Sequence, residues 1–288
     1  MGLRHSVLAT LAVCLLSSTA LYGKKVASCT FDTFTAPSGY TLDTVQGIGD
    51  DGTVVGQLID NDKQVGVAFL RNPSRKITVF SAPQSLGTWM YGQNGTDTSD
   101  GYFLDSKGSL HGFTLTGSNF AQVDYPKASQ TQLFGVNKSA ALVGSFTTGT
   151  QTKGFLLVNG NYTTIAYPKQ DRNYAMAGND SNTVVGYYSV NWVNYGFFWQ
   201  NGTFTDINYP GAKYGTALYG INNDGVIVGN HFSADNAYGF LYQNGTFKNI
   251  VYSGAKYTTA GGINNNGVVS GLIFFKGGKT LGYTATCK

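Results

Sequence analysis

Gly220-Ile-Asn-Asn-Asp-Gly-Val-Ile-Val-Gly229 and Gly262-Ile-Asn-Asn-Asn-Gly-Val-Val-Ser-Gly271 differ at three of ten positions. The same frame, a small residue followed nine positions later by glycine, recurs at Gly47/Gly56, Gly92/Gly101, Gly135/Gly144 and Ala177/Gly186. Successive frames therefore begin 45, 43, 42, 43 and 42 residues apart. A period of this length marks a chain made of one repeated supersecondary unit.

Two further blocks follow each frame. The first is Val65 to Leu70, His111-Gly-Phe113, Lys153-Gly-Phe155, Tyr195-Gly-Phe197, Tyr238-Gly-Phe240 and Leu281-Gly-Tyr283. The second is typified by Phe204-Thr-Asp-Ile-Asn-Tyr-Pro210, with counterparts ending at Pro83, Pro126, Pro168 and Ser253. Between them stand Asn159-Gly160, Asn201-Gly202 and Asn244-Gly245, the dipeptide that best fits the positive φ angles of a two-residue hairpin. Asn-Asn-Asp-Gly inside the frame reads as the same kind of turn. One unit then parses as four strands, near Ala217 to Ile221, Val226 to Phe232, Ala237 to Gln243 and Thr246 to Tyr252, which predicts a propeller blade. The recurrent Phe155, Phe197 and Phe240 are expected to pack between blades.

Composition agrees. Glycine is abundant at 39 residues, aromatics make up 14% and charged residues 12%, and every one of the 15 acidic residues is Asp. Glu favours helices, whereas Asn, Asp and Gly favour turns, and Tyr, Phe, Val and Thr fit a pleated surface.

The two ends predict closure. The sixth unit stops at Leu281-Gly-Tyr-Thr-Ala-Thr-Cys287 without a fourth strand, while Cys29-Thr-Phe-Asp-Thr-Phe-Thr-Ala-Pro37 looks like a fourth strand standing ahead of the first frame. Pairing them completes a six-bladed β-propeller, all-β, with four antiparallel strands per blade, and brings Cys29 beside Cys287 for a disulfide. The expected domain is 29–288, a single one.

Residues 1–28 read as a signal peptide: Arg4 and His5, then an apolar run from Ser6 to about Tyr22, with cleavage after Ala20 or after Ser28. The run is too short and too rich in Ser and Thr for a membrane span. The expected location is secreted, extracellular or periplasmic. A rival reading takes Val26-Ala27-Ser28-Cys29 as a lipoprotein processing site with Cys29 acylated. Without residues 1–28, 16 basic residues face 15 acidic ones, a balance that argues against nucleic-acid binding.

The combination Gly-Ile-Asn-Asn-x-Gly-x-x-x-Gly, Gly-Phe-Leu-Tyr, Asn-Gly-Thr-Phe and Tyr-Pro-Gly-Ala resembles the HAF-type extracellular repeat of exported bacterial proteins, across all six units from Cys29 to Lys288. The units at 177, 220 and 262 match best, those at 47 and 92 are degraded, and Tyr-Gly-Phe mostly replaces His-Ala-Phe. The resemblance implies an exported repeat fold and no established catalytic residues.

In a four-stranded blade the second-to-third turns and the blade-to-blade connections emerge on one face, and there this sequence varies most. Candidate ligand-binding residues on that face are Trp89, Arg172, Tyr174 and Trp192, then Lys213, Tyr214 and His231, then Lys256 and Tyr257; exposed aromatics beside hydrogen-bonding groups can stack on sugars or anchor a protein. With His111 and His231 the only histidines after residue 28, a multi-histidine metal site is not expected, and no motif points to a cofactor. The leading expectation is a monomeric, non-catalytic exported module that binds glycan or protein. The alternatives are an Asp-based glycoside hydrolase or lyase drawing on Asp60, Asp62, Asp171 and Asp235, or a structural cell-envelope protein. Asp60-Asn-Asp62 is expected to be a polar turn rather than a calcium loop.

Overall fold

A computed structural model describes residues 25–287, so the apolar run of the expected signal peptide and the cleavage position after Ala20 lie outside the described residues. After β1 (Cys29–Phe34), blade one comprises β2 (Tyr40–Ile48), β3 (Val54–Asp60), β4 (Val65–Arg71) and β5 (Ile77–Phe80). Blade two is β6 (Gly87–Gln93), β7 (Thr98–Leu104), β8 (Leu110–Thr116) and β9 (Asn119–Val123), and blade three is β10 (Gln130–Val136), β11 (Leu142–Thr148), β12 (Gln151–Val158) and β13 (Asn161–Ile165). Blade four is β14 (Asn173–Gly178), β15 (Val184–Val190), β16 (Val193–Gln200) and β17 (Thr203–Asp206). Blade five is β18 (Thr216–Ile221), β19 (Ile227–Phe232), β20 (Ala237–Gln243) and β21 (Thr246–Asn249). Blade six has its inner strand split into β22 (Tyr257–Thr258) and β23 (Gly262–Ile263), followed by β24 (Val268–Phe274) and β25 (Thr280–Cys287). All pairings between strands of a blade are antiparallel, and β1 supplies the outer strand of blade six against β25. The protein is a six-bladed β-propeller.

The register of β1 on β25 sets Cys29 opposite Cys287, and a disulfide joins them. That bond places the protein in a non-reducing environment, and it occupies the sulfur that acylation of Cys29 would need. Asp32 of β1 also reaches across the seam to blade one, receiving Arg71 at 3.2 Å and Arg75 at 3.0 Å. Lys25 to Ala27 add a short parallel pairing along Asn249 of blade five, with Ala27 buried. Among the described residues no helix is long and apolar enough to cross a membrane.

The blades pack through one repeated aromatic position. Phe69, Phe113, Phe155, Phe197 and Phe240, with Tyr283 in blade six, are each fully buried, and each burial contributes roughly 1.5–3 kcal/mol. Tyr283 differs from the phenylalanines by a hydroxyl, which donates to the Thr259 carbonyl at 2.7 Å. Each frame opens with a small residue because the inner strands converge on the axis: a Cβ on Gly220 would lie 3.0 Å from the Ile263 nitrogen.

The Asn-Asn-Asp-Gly turn is not the two-residue hairpin expected from its ending. Asn201 (φ 48) and Gly202 (φ 85) form such a turn, both residues left-handed. In the frame, by contrast, Asn222 pairs with Val226, Gly225 N–H donates to the Asn222 carbonyl, and the Asn222 side chain accepts from Val226 N–H at 2.9 Å. The longer turn leaves the Asn222 amide free to donate to the Asn264 carbonyl of the next blade at 3.2 Å. The same latch runs from Asn137 to Asn179, from Asn179 to Asn222, and from Asn264 to Gly49 across the closing seam. Blades one and two carry Gly49 and Asn94 at this position. Gly49 has no side chain, and the Asn94 side chain accepts from Thr96 and Thr98 N–H within its own loop. Four of six seams are therefore latched among the described residues, and the two that are not follow the two degraded frames.

Candidate functional site: an aromatic cup on the axis

The inner strands carry a repeated irregularity. In blades two to five the ladder skips one residue, between Met90 and Gly92, Leu133 and Gly135, Ala175 and Ala177, and Leu218 and Gly220. Blade one has a wider break between Val45 and Ile48. A bulge of this kind re-aims the unpaired side chain. The residues so released, Tyr91, Phe134, Met176 and Tyr219, together with Gln46 of blade one, line a cavity of about 450 Å³ at the axial mouth on the variable-loop face. In blade six the same position falls at Gly261, inside the split of the inner strand, where Asn230 takes the place of a neighbouring strand: its side chain accepts from Ala260 N–H at 2.9 Å and donates to the Ala260 carbonyl at 3.1 Å.

A second ring comes from the residue after each frame's closing glycine. Tyr102, Tyr187, Asn230 and Leu272 line the cup, while Gln57 and Ser145 turn into the seams, donating to the carbonyls of Thr88 and Asn173. Tyr102 stacks on Tyr91 with centroids 5.5 Å apart, Phe134 meets Tyr91 edge-on at 5.0 Å, and Tyr174 stacks on Tyr187 at 4.9 Å. Burial raises the phenols of Tyr91 and Tyr187 well above their ordinary range, reinforced by neighbouring phenols, and pushes Tyr219 up to about 12. They are neutral hydrogen-bonding groups throughout the physiological range. The wall also carries the amides of Gln46, Gln132 and Asn230, and none of the described residues lining it is charged.

The nine candidates from the sequence fall into four places. Tyr174 lines the cup, and Trp89 supports it by stacking on Tyr102 at 5.0 Å. Arg172 and Trp192 pair on the rim of blade four, and Lys213, Tyr214 and His231 line a separate hollow of about 470 Å³ beside blade five. There His231 lies flat on Tyr209 at 3.9 Å, as Tyr188 lies on Tyr167 in blade four, so its ring serves packing as well as lining. Lys256 and Tyr257 belong to a shallow depression on blade six, with Tyr257 stacked on Phe274 at 4.4 Å.

The carboxylates named for hydrolysis are dispersed. Asp60 and Asp62 belong to a turn of blade one, Asp171 precedes blade four across the ring, and Asp235 lies in a turn of blade five; none lines the cup. Asp60 accepts from the backbone of Lys63 and Asp62 and pairs with the Lys63 ammonium at 3.2 Å, which holds its carboxyl below the usual range. The segment is a polar turn, as expected. Sequence reasoning missed Tyr91, Tyr102, Phe134, Tyr187 and Tyr219. The positions just before and just after each frame vary from blade to blade more than its closing glycine does, but nothing in them marks a bulge.

No family model matches the chain, and neither does any curated protein. Solved structures do. A catalytically inactive virginiamycin B lyase from Staphylococcus aureus with quinupristin is similar over 90% of this chain and 99% of its own, at 12% identity and a TM-score of 0.51. A mutant of AofleA from Arthrobotrys oligospora matches over 89% and 86%, at 14% identity and 0.57. The fucose-specific lectin from Aleuria aurantia matches over 90% and 94%, at 12% identity and 0.51. At these identities the likeness is one of fold.

Proposed function

We propose that the chain is an exported, non-catalytic binding module of the HAF-type repeat group that recognises a neutral glycan unit in its axial cup. The observation that carries this reading is the bulge repeated in the inner strands, which places tyrosine and phenylalanine rings around an uncharged cavity of about 450 Å³, a size within the usual range for small-ligand sites. Aromatic faces stack on the C–H faces of a pyranose, and phenol and amide groups satisfy its hydroxyls. A fucose-specific lectin among the fold neighbours is compatible with that use of a propeller. The disulfide, and the signal-like segment before it, support export.

The test is a glycan array followed by calorimetry on the strongest neutral hit. Tyr219→Leu, which keeps apolar bulk and removes the phenol, is expected to weaken binding at least tenfold with the melting temperature retained. Absence of any neutral hit, or unchanged affinity in a folded Tyr219→Leu protein, would remove the proposal.

A further inference from the structure

The hairpin joining β15 to β16 turns on Asn191 and Trp192, whose φ angles are 48° and 67°. It is the same left-handed two-residue turn that the chain builds elsewhere with Asn159-Gly160, Asn201-Gly202 and Asn244-Gly245. In those turns the second residue is glycine, the residue for which this backbone is free of steric cost. Here it is tryptophan, a side chain disfavoured in that region. Nor does the indole gain by burial, since Trp192 is 84% exposed, more than any other large hydrophobic side chain among the described residues. Folding therefore gives no reason for a tryptophan here, and strain retained at an exposed position points to function.

One face of the indole is covered by Arg172, whose guanidinium carbon lies 4.5 Å from the ring centroid. The Arg172 backbone is fixed: its carbonyl accepts from Ser189 N–H at 3.0 Å, and it forms a parallel bridge with Thr152. The adjacent Asp171 carboxylate turns to the Gln151 amide at 2.9 Å, and among the described residues no carboxylate lies within ion-pair distance of Arg172. Two residues beyond Trp192, Asn194 is bridged to Gly215, which carries the strip on to Tyr214, 53% exposed, and to exposed Lys213. Two cations and two exposed aromatics thus lie along the rim of blade four, from its seam with blade three at Arg172 to its seam with blade five at Tyr214.

We propose that this rim strip is a second binding site, independent of the axial cup, for glycans that carry uronic acids. The open face of Trp192 stacks on one pyranose ring, and Arg172, on the other face of the indole, takes the carboxylate of an adjoining uronic acid of the same chain at the ring's edge. An acidic peptide would satisfy the cations but offers no ring to the indole.

The test is calorimetry of the full chain with oligogalacturonate, oligogalactan and poly-glutamate. Oligogalacturonate is expected to bind, with oligogalactan and poly-glutamate at least tenfold weaker at this site. Trp192→Gly and Arg172→Gln are each expected to reduce oligogalacturonate affinity at least tenfold, while Trp192→Gly leaves the melting temperature equal or higher, because it restores the Asn-Gly turn. No binding of oligogalacturonate, equal binding by Trp192→Gly, or equal affinity for poly-glutamate would overturn the proposal, as would a clear fall in melting temperature for Trp192→Gly. None of these variants touches the cup, whose own test rests on Tyr219, so the two readings fail separately.

Discussion

Replacing Asn222 with alanine tests how the ring holds itself together. The side chain is 3% exposed and makes two bonds, accepting from Val226 N–H at 2.9 Å and donating to the Asn264 carbonyl of the next blade at 3.2 Å. The Asn264 carbonyl keeps a second partner, Gly267 N–H at 3.0 Å, so the truncation does not orphan it. At about 1 kcal/mol for each lost bond, Asn222→Ala is expected to cost about 2 kcal/mol. With a urea slope of about 3 kcal/mol per molar for a chain of this size, the unfolding midpoint falls by about 0.7 M. The adjacent Asn223 is an internal control. It also bonds across a seam, accepting from Asp180 N–H and donating to the Asp180 carboxylate, but it is exposed, so Asn223→Ala is expected to cost less than about 1 kcal/mol. Urea unfolding followed by circular dichroism, with the slope checked for constancy, measures both. A loss below about 0.5 kcal/mol at Asn222, or equal losses at the two positions, would refute the latch.

Three further outcomes follow from the same packing. Asp100 stands where four other blades have Val55, Val143, Val185 and Val228, fully buried against the Gly92 and Gly135 backbone without a well-formed hydrogen bond, and burial pushes its carboxyl up to about 8. The unfolded residue ionises near ~3.9, so the folded chain holds the extra proton between those values; relative to Asp100→Val, stability should fall as pH rises from about 4 to about 8, by up to about 1.4 kcal/mol per unit, and level off above. Urea midpoints at several pH values check this, and parallel curves for the two proteins would contradict it. Cys29→Ser with Cys287→Ser opens a loop of sequence separation 258 and is expected to cost about 2–5 kcal/mol, with β1 amides exchanging faster; unchanged exchange in β1 would argue against its pinning role. Because Ala27 is buried on blade five, the proposed export is expected to cut before residue 21 and leave residues 21–28 on the chain, and an intact mass beginning at Cys29 would contradict that.

The fold was legible because the same solution is repeated six times. Near-constant spacing, Asn-Gly turns and one aromatic per unit each reappear, so an error in one blade is corrected by five others. Closure was legible from complementary ends. The cup was not. Its residues are defined by a ladder that skips a residue, and a bulge has no composition of its own when the bulged residue is Tyr, Phe or Met. The turn at Asn222 was misjudged because Asp-Gly ends both a two-residue hairpin and the longer loop; only the bond from Asn222 to the next blade distinguishes them. Grouping nine candidates on one face could not separate Tyr174 in the cup from Trp192 on the rim, since distance from the axis leaves no trace in a single repeat.

The central claim is that the chain closes on itself through β1 and β25. Tryptic mapping of the unreduced, thiol-blocked monomer addresses it directly. The account predicts peptide Val26–Lys63 joined to Thr280–Lys288 by one disulfide, separating only on reduction. Blocked, free thiols at Cys29 and Cys287, or disulfides found only between chains, would contradict it.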